Sequence, residues 1–221
     1  MAQVYLNYAA LMCCAGGQDS LGGRLLYAAE LDARGIALAI AGNIAGAATL
    51  AATADQTASR QAMREGVVDF LVTTLDEALR ILKNQLRKRE PASVCVGRTP
   101  QEVVREMLER GVQPDMLPAT ESASSGSFAQ FIALGAERIE PRPLAPGQTL
   151  FTVEIPPGSM RQSARIEETL AASIEEGDLA GRRWLRLSPR YLGPGARRAR
   201  SLVCNAAAVV GLRAELAKLS S

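Results

Sequence analysis

The sequence predicts an α/β fold: a Rossmann-like, doubly wound parallel sheet followed by a small α+β extension. Helical and strand patterns alternate from Asp19 onward, and the turns after the predicted strands are polar, small or contain glycine. Strands that are separated by helices of about ten to fifteen residues indicate right-handed crossovers and a parallel sheet. We expect residues 1–140 to form the Rossmann-like domain and residues 141–221 to form a basic C-terminal extension.

The first elements are assigned from apolar spacing and from the residues that stop helices. Apolar residues at helical spacing predict a helix over Ser20–Arg34, with Gly35 as its stop. The apolar run Ile36–Ala41 predicts the first buried strand. The next helix is expected to begin near Ile44 and to run towards Gly66, with a break around Asp55.

The remaining strands of the sheet are predicted from short apolar runs between helix signals. Thr74 and Thr99 each precede a glutamate by three residues, which is the spacing of a capping box, so a helix is expected to follow each of them. A further helix is predicted over Phe128–Leu134. The three predicted strands are Val67–Thr73, Ala92–Val96 and Met116-Leu117.

The C-terminal extension is expected to follow a proline-rich linker at residues 141–147. Beyond the linker, the pattern predicts a strand at Leu150–Ile155 and a helix near Ser159–Glu176. A second strand at Trp184–Leu187 and a final helix after Pro194 complete a small α+β unit.

The composition excludes several kinds of site. The chain has no histidine, which excludes Ser-His-Asp and Cys-His catalysis and every histidine metal ligand. None of the four cysteines is part of a CxxC pair, so no metal site is predicted. No basic residue precedes the apolar N-terminus, and no segment is apolar for long enough to span a bilayer, so we expect a cytoplasmic protein with reduced thiols and no membrane partner.

The predicted turn at Gly42-Asn43 is the leading candidate for a ligand site. Ligands of open α/β sheets bind outside the carboxyl ends of the strands, and free N–H groups at the start of a helix attract anions. Compared with the dinucleotide fingerprint GxGxxG/A, residues 40–45 keep the middle glycine and the final alanine but have isoleucine at the first position. A plain tight turn remains the alternative. The predicted cofactor-binding residues are Gly42, Asn43, Ile44, Gly46, Ala47, Thr73, Gly97 and Thr120.

Three stretches of the chain resemble the central dinucleotide-binding domain of the urocanate hydratase (urocanase) family. They are GNIAGAATLA, DQTASRQAMREGVVDFLVTTLDEAL and LERGVQPDML, which fall within residues 36–125. The resemblance implies that residues 42–51 take the place of the family's glycine-rich turn and that Asp55 lies near its acidic residue. Residues 76–79 match the DEAL motif, and residues 110–115 match RGxxPD. The resemblance also implies NAD, held as an electrophile, as the cofactor of a hydro-lyase.

The chain departs from the family where polar ligands are expected. Residues 118–125 read PATESASS and lack the Asp, Gln and His of the family's TDQTSAHD loop. The long flanking catalytic domain of urocanases has no counterpart in these 221 residues. Two functions therefore stay open: a urocanase-like protein that binds NAD or a related nucleotide, with hydratase or lyase activity on an unknown substrate, and a non-catalytic structural or regulatory module. A small-molecule or nucleotide ligand and a homodimer are the expected partners.

Nucleic-acid binding through the arginine-rich extension is a third possibility. No acidic residue lies between Asp178 and Glu215, and Trp184 and Tyr191 are interleaved with the arginines. Guanidinium groups suit phosphates, and aromatic rings stack on bases. The alternative is a solvated face, or arginines paired with the acidic residues around Glu167 and Glu175. The arginines are Arg182, Arg183, Arg186, Arg190, Arg197, Arg198 and Arg200.

Overall fold

The computed structural model describes residues 1–119, 125–155, 160–193 and 196–219. The chain divides into two compact units, Gln3–Arg142 and Pro143–Ser221. Among the described helices, none is long and apolar enough to cross a membrane.

A six-stranded parallel sheet forms the centre of the first unit. Its strands are β1 (Leu25–Glu30), β2 (Ala48–Ala52), β3 (Phe70–Val72), β4 (Ala92–Val96), β5 (Met116–Pro118) and β6 (Glu137–Ile139). They lie in the order β3-β4-β2-β1-β5-β6. The helices of this unit are α1 (Ala2–Cys13), α2 (Ala33–Ala45), α3 (Gln56–Arg64), α4 (Leu75–Lys88), α5 (Pro100–Glu109) and α6 (Ser125–Ala133).

Helices cover both faces of this sheet. On one face Leu25 and Tyr27 of β1 belong to the same buried cluster as apolar residues of α4, α5 and α6. On the other face α2 packs against β1 and β2, with Gly42 of α2 next to Leu26 and Thr49. Alternate residues of a strand point to opposite faces, so a central strand buried on both sides is apolar throughout. The predicted fold class, a Rossmann-like doubly wound sheet with a small α+β unit at the C-terminus, is confirmed.

The prediction for the first two elements is wrong. The helix predicted over Ser20–Arg34 is strand β1 followed by the start of α2, and the strand predicted at Ile36–Ala41 lies inside α2. Asp32 caps α2, because its carboxylate accepts hydrogen bonds from the backbone N–H groups of residues 34 and 35. The helix predicted from Ile44 is instead the end of α2 followed by strand β2.

Both errors have the same physical origin. α2 is buried along almost its whole length, so its sequence is apolar on every side and shows little helical periodicity. Strand β1 is short and also buried, and Leu21, which precedes it, lies by chance four residues before Leu25 and eight before Ala29. Periodicity alone does not separate a buried strand from a buried helix.

Later elements of this unit agree with the sequence prediction. Strands β4 and β5 lie where their apolar runs predict them, and β3 is shorter than predicted. Thr74 caps α4, and Thr99 forms a complete capping box with Glu102 at the start of α5. The break predicted near Asp55 is the start of α3, which Asp55 caps. Strand β6 was not predicted; it pairs with β5 at the edge of the sheet.

The described residues of the second unit form two antiparallel strands and three helices. Its elements are β7 (Gln148–Glu154), α7 (Met160–Ala172), α8 (Leu179–Tyr191), β8 (Ala199–Asn205) and α9 (Ala206–Leu219). The strand predicted at Trp184–Leu187 is wrong, because these residues lie in α8. Trp184 is fully buried, and its indole N–H donates to the hydroxyl of Ser201, 3.0 Å away. The apolar run that suggested a strand is therefore the buried side of an amphipathic helix.

Candidate functional site

The predicted ligand turn at Gly42-Asn43 lies at the amino ends of the strands. Open α/β sheets bind ligands at the other end, outside the carboxyl ends of the strands. Both residues are in the last turns of α2, Ile44 follows them in the same helix, and Gly46 ends it in a left-handed conformation with φ 92°. Ala47 then leads into the start of β2. The strand-to-helix turn predicted here is wrong, because the chain passes in the opposite sense, from the end of helix α2 into the start of strand β2.

Close packing explains the glycine and the asparagine. A Cβ at Gly42 would lie 2.7 Å from both Leu26 Cδ2 and Thr49 Oγ1, so only glycine lets α2 approach the sheet. The Asn43 amide donates to the Val67 carbonyl at 3.1 Å and to the Ser93 hydroxyl at 3.2 Å. Asn43 is 1% exposed. These two residues join the helix to the amino ends of the strands.

The other predicted site residues are separated from this group. Thr73 and Gly97 follow β3 and β4 at the carboxyl edge. The Thr73 N–H donates to the Glu77 carboxylate at 3.1 Å, and the Gly97 N–H donates to the Val72 carbonyl at 2.9 Å. Thr120 follows β5 and lies outside the described residues. The structure therefore separates the seven predicted residues that it describes into two groups at opposite ends of the strands.

The sheet order identifies a different place for a ligand. The chain leaves β1 toward β2 on one side of the sheet and leaves β5 toward β6 on the other side, while β1 and β5 are neighbours. Ligands of open α/β sheets bind at such a switch point, outside the carboxyl ends of the two strands. A cavity of about 670 Å³ lies there, lined by residues from the ends of β1, β5 and β6 and from α1, α2, α5 and α6.

An irregular turn between β1 and α2 forms one wall of this cavity. The pairing of β1 with β2 shifts register between Tyr27 and Ala29, and Ala29 has φ 61°. An alanine is strained in this region by about 1–2 kcal/mol. Gly35 follows in the first turn of α2, where a Cβ would overlap the Glu30 carbonyl oxygen. Glu30 and Asp32 both line the cavity.

This turn does not fit the pyrophosphate of NAD. With β1 at its observed position, the GxGxxG frame falls on residues 30–35, and only its third glycine is present, as Gly35. Glu30 and Asp32 occupy the first two glycine positions. The Asp32 carboxylate accepts from the N–H groups of Arg34 and Gly35, both at 2.9 Å, where a phosphate oxygen would otherwise bind. A bound phosphate would lose these donors and face a negative charge.

The ribose position also lacks its usual partner. In dinucleotide-binding domains an acidic residue at the end of the second strand holds the ribose hydroxyls. Strand β2 ends at Ala52, and Asp55, the acidic residue suggested by the urocanase resemblance, caps α3 through the N–H groups of residues 57 and 58. The Asp55 carboxylate is therefore already hydrogen-bonded to the backbone of α3.

The two downstream motifs of the resemblance connect secondary structure elements. Asp76 of the DEAL motif forms an ion pair with Arg110 of RGxxPD, and the Arg110 guanidinium lowers the pKa of the Asp76 carboxyl. Asp115 of the same motif accepts from the Leu25 N–H at 2.6 Å, which fastens β5 to β1. None of these three side chains lines the cavity. These motifs therefore identify the domain rather than its ligand.

Aromatic and amide side chains line further parts of the cavity wall. Tyr27 and Phe128 meet edge to face with ring centroids 6.1 Å apart. Burial, and secondarily the charge of Glu30, raise the pKa of the Tyr27 phenol. The neutral hydroxyl donates to the Pro100 carbonyl at 3.3 Å. Asn7 of α1 also lines the cavity and is 5% exposed.

Sequence reasoning missed these residues because it placed β1 about ten residues too late. Once β1 is assigned to Leu25–Glu30, residues 30–35 fall directly after the first strand and can be compared with the dinucleotide fingerprint. The Asp32–Gly35 spacing is also a recognisable helix start. No local sequence signal points to Asn7, because only the fold brings α1 to the carboxyl edge.

Comparison with protein families agrees with this architecture. The model of the urocanase Rossmann-like domain matches residues 4–130, more than half of the chain. The match begins in α1 and ends in α6, so it covers the first five strands, including β1 and the turn after it. On the strength of this match and of the observed sheet, the chain belongs to the urocanase family.

Proposed function

We propose that this chain is a non-catalytic binding protein of the urocanase family that holds a small organic molecule in the switch-point cavity and does not use NAD. The observation that carries the proposal is the cavity of about 670 Å³, whose turn residue Asp32 already occupies the N–H groups that a pyrophosphate needs. A volume of this size is typical of small-molecule sites, which are largely apolar with a few polar groups.

The choice of a non-catalytic function over a hydratase rests on the same turn. In the urocanase family NAD supplies the electrophile, so a hydratase of this type needs the dinucleotide. Glu30 and Asp32 oppose its phosphates, and Ala52 offers no carboxylate for its ribose. The chain also has no histidine for proton transfer.

Native mass spectrometry of the purified full chain, combined with calorimetric titration, tests the proposal. We expect a small-molecule adduct on the purified protein and no saturable heat with NAD or ATP. Ala119 lines the cavity and is partly exposed, so Ala119→Trp should fill the cavity and abolish the adduct. Ala129→Trp, on the exposed side of α6, is the matched control and should keep it. Bound NAD, or hydration of urocanate by the pure protein, would contradict the proposal.

A second candidate function, binding of nucleic acid, rests on the surface of α8. Arg182, Arg186 and Arg190 are exposed at a spacing of four residues, which places them on one side of the helix. The Arg190 guanidinium lies 5.3 Å from the centre of the Tyr191 ring. Within the described residues, Arg186 and Arg190 form no ion pair.

The alternative, in which the arginines form ion pairs with acidic residues of the chain, holds for one of them. Arg200 forms an ion pair with Glu167 at 2.6 Å. Fluorescence polarisation with a labelled single-stranded RNA separates the two interpretations. Binding through α8 should weaken steeply with salt and in the Arg186→Ala/Arg190→Ala variant, but not in Arg105→Ala, an exposed arginine of α5. A flat salt response would remove this candidate.

The predicted homodimer is tested separately by light scattering.

A further inference from the structure

The arginines in residues 182–200 differ in what their side chains contact. Arg182 donates to the carbonyls of Ile174 and Glu175, at 3.2 and 3.4 Å, and so joins α8 to the segment that precedes it. Arg200 is held by its ion pair with Glu167. Four other arginines are exposed and, within the described residues, form no ion pair: Arg186, Arg190, Arg197 and Arg198. These four carry positive charge that the described chain does not neutralise.

The connection between α8 and β8 carries most of this charge on a fixed backbone. Arg190 lies in the last turn of α8, and Arg197 and Arg198 directly precede β8. The Arg197 carbonyl accepts from the Arg200 guanidinium at 2.9 Å, and the Arg198 carbonyl accepts from the Ile155 N–H at 2.7 Å. Because the backbone is anchored here, binding through the exposed guanidinium groups would order few further residues.

Tyr191, the last residue of α8, adds an aromatic ring beside these arginines. The ring is partly exposed, and the Arg190 guanidinium lies 5.3 Å from its centre. Unstacked bases of nucleic acids stack on aromatic rings and on guanidinium planes. The bases of a duplex are stacked on each other, so a single strand offers its bases more readily than a duplex does.

We infer that the four arginines and Tyr191 bind single-stranded nucleic acid, with the guanidinium groups on its phosphates and a base stacked on the tyrosine ring. This inference rests on the second candidate function, binding of nucleic acid by α8. A basic helix that binds an anionic membrane inserts its apolar side. In α8 that side is buried, since Trp184 is 0% and Leu185 is 7% exposed. The surface therefore fits a strand with free bases better than it fits a lipid surface.

Fluorescence polarisation with the full chain tests the stacking. The probe is a labelled RNA of about twelve nucleotides without self-complementary sequence, used alone and paired with its complement. We expect the single strand to bind more tightly than the duplex. Tyr191→Leu should weaken binding of the single strand about tenfold, because one stacked base is lost, and should leave binding of the duplex unchanged. Tyr5→Leu, at a partly exposed tyrosine of α1, is the matched control and should change neither.

The salt dependence of binding tests the phosphate contacts. Each contact to a single strand contributes about 0.7 to the slope of log affinity against log salt concentration, so four contacts predict a slope of about −3. Arg197→Ala/Arg198→Ala should reduce it to about −1.5. Arg60→Ala/Arg64→Ala removes the same charge from exposed positions of α3, also near each other on one helix, and should leave the slope unchanged.

The possible results separate the inference from the candidate function on which it rests. A duplex that binds as tightly as the single strand, or unchanged binding in Tyr191→Leu, would overturn the inference and leave nucleic-acid binding by charge alone. An unchanged salt slope in Arg197→Ala/Arg198→Ala would also overturn it. If neither form of RNA binds but vesicles that contain phosphatidylserine do, the candidate function fails as well and the surface is a membrane contact.

Discussion

The two ends of helix α2 differ in what their polar and small residues do. At its C-terminal end, Gly42 and Asn43 are buried against the sheet and the strand that follows. At its N-terminal end, Glu30 and Asp32 line a cavity and form no ion pair within the described residues. The glycine-rich end resembles a phosphate turn in sequence, whereas the glycine-poor end lies at the carboxyl edge of the sheet, where open α/β sheets generally bind ligands. Composition alone thus points to the wrong end of the helix.

The largest effect is expected when the hydrogen bonds of Asn43, near the C-terminal end of α2, are removed. Asn43→Ala removes two donors from the buried network with Val67 and Ser93 and leaves a cavity. We expect the free energy of unfolding to fall by about 3 kcal/mol, measured by urea denaturation. Asn84→Ala, at a partly exposed position on α4, should change it by less than about 0.5 kcal/mol. Similar costs at both positions would contradict the structural interpretation of Asn43.

The second largest effect is expected at Gly42, where helix α2 lies close to the sheet. Gly42→Ala places a methyl group against Leu26 and Thr49, and we expect a loss of about 2 kcal/mol in the free energy of unfolding. Gly211 is a matched control because it also lies inside a helix, with no neighbouring atom within 4 Å of a Cβ there. Gly211→Ala should stabilise the protein by up to about 1 kcal/mol through helix propensity. The two substitutions therefore differ in sign, and a stabilising Gly42→Ala would show that the packing is loose.

The difference between amphipathic helices and the fully buried helix α2 explains how much of the fold the sequence predicts. Helices α4 and α5 are amphipathic and begin at capping threonines, so local chemistry defines their starts. Helix α2 is buried on all sides, and the pattern that separates a helix from a strand is absent there. The order of the strands, with β3 outside β4, depends on contacts between distant residues.

The candidate site was predictable only in its location relative to the sheet. The rule that ligands bind at the carboxyl ends of the strands is correct in principle, but it needs the true position of β1. Thr73 and Gly97 do lie at that edge, and their backbone N–H groups are used in local hydrogen bonds. Asn7 enters the site through tertiary packing of α1.

A smaller effect is expected at the open end of α2. Asp32→Ala removes the cap from the N–H groups of residues 34 and 35 and should lower the free energy of unfolding by about 1 kcal/mol. Asp55 caps α3 in the same way, so Asp55→Ala should have a similar cost. Asp32→Asn should have little effect, because an amide oxygen also accepts these hydrogen bonds. A large loss in Asp32→Asn would mean that the charge itself stabilises the turn.

The smallest effect concerns the strain beside the cavity. Ala29 has φ 61°, a conformation that glycine adopts without a Cβ clash. Ala29→Gly relieves this strain but also makes the unfolded chain more flexible, so we expect a net stabilisation of only about 0.5 kcal/mol. Ala28→Gly is the matched control: residue 28 is buried, and a glycine there should be destabilising. Urea denaturation measures both variants, and a destabilising Ala29→Gly would show that the left-handed conformation at residue 29 stores no strain.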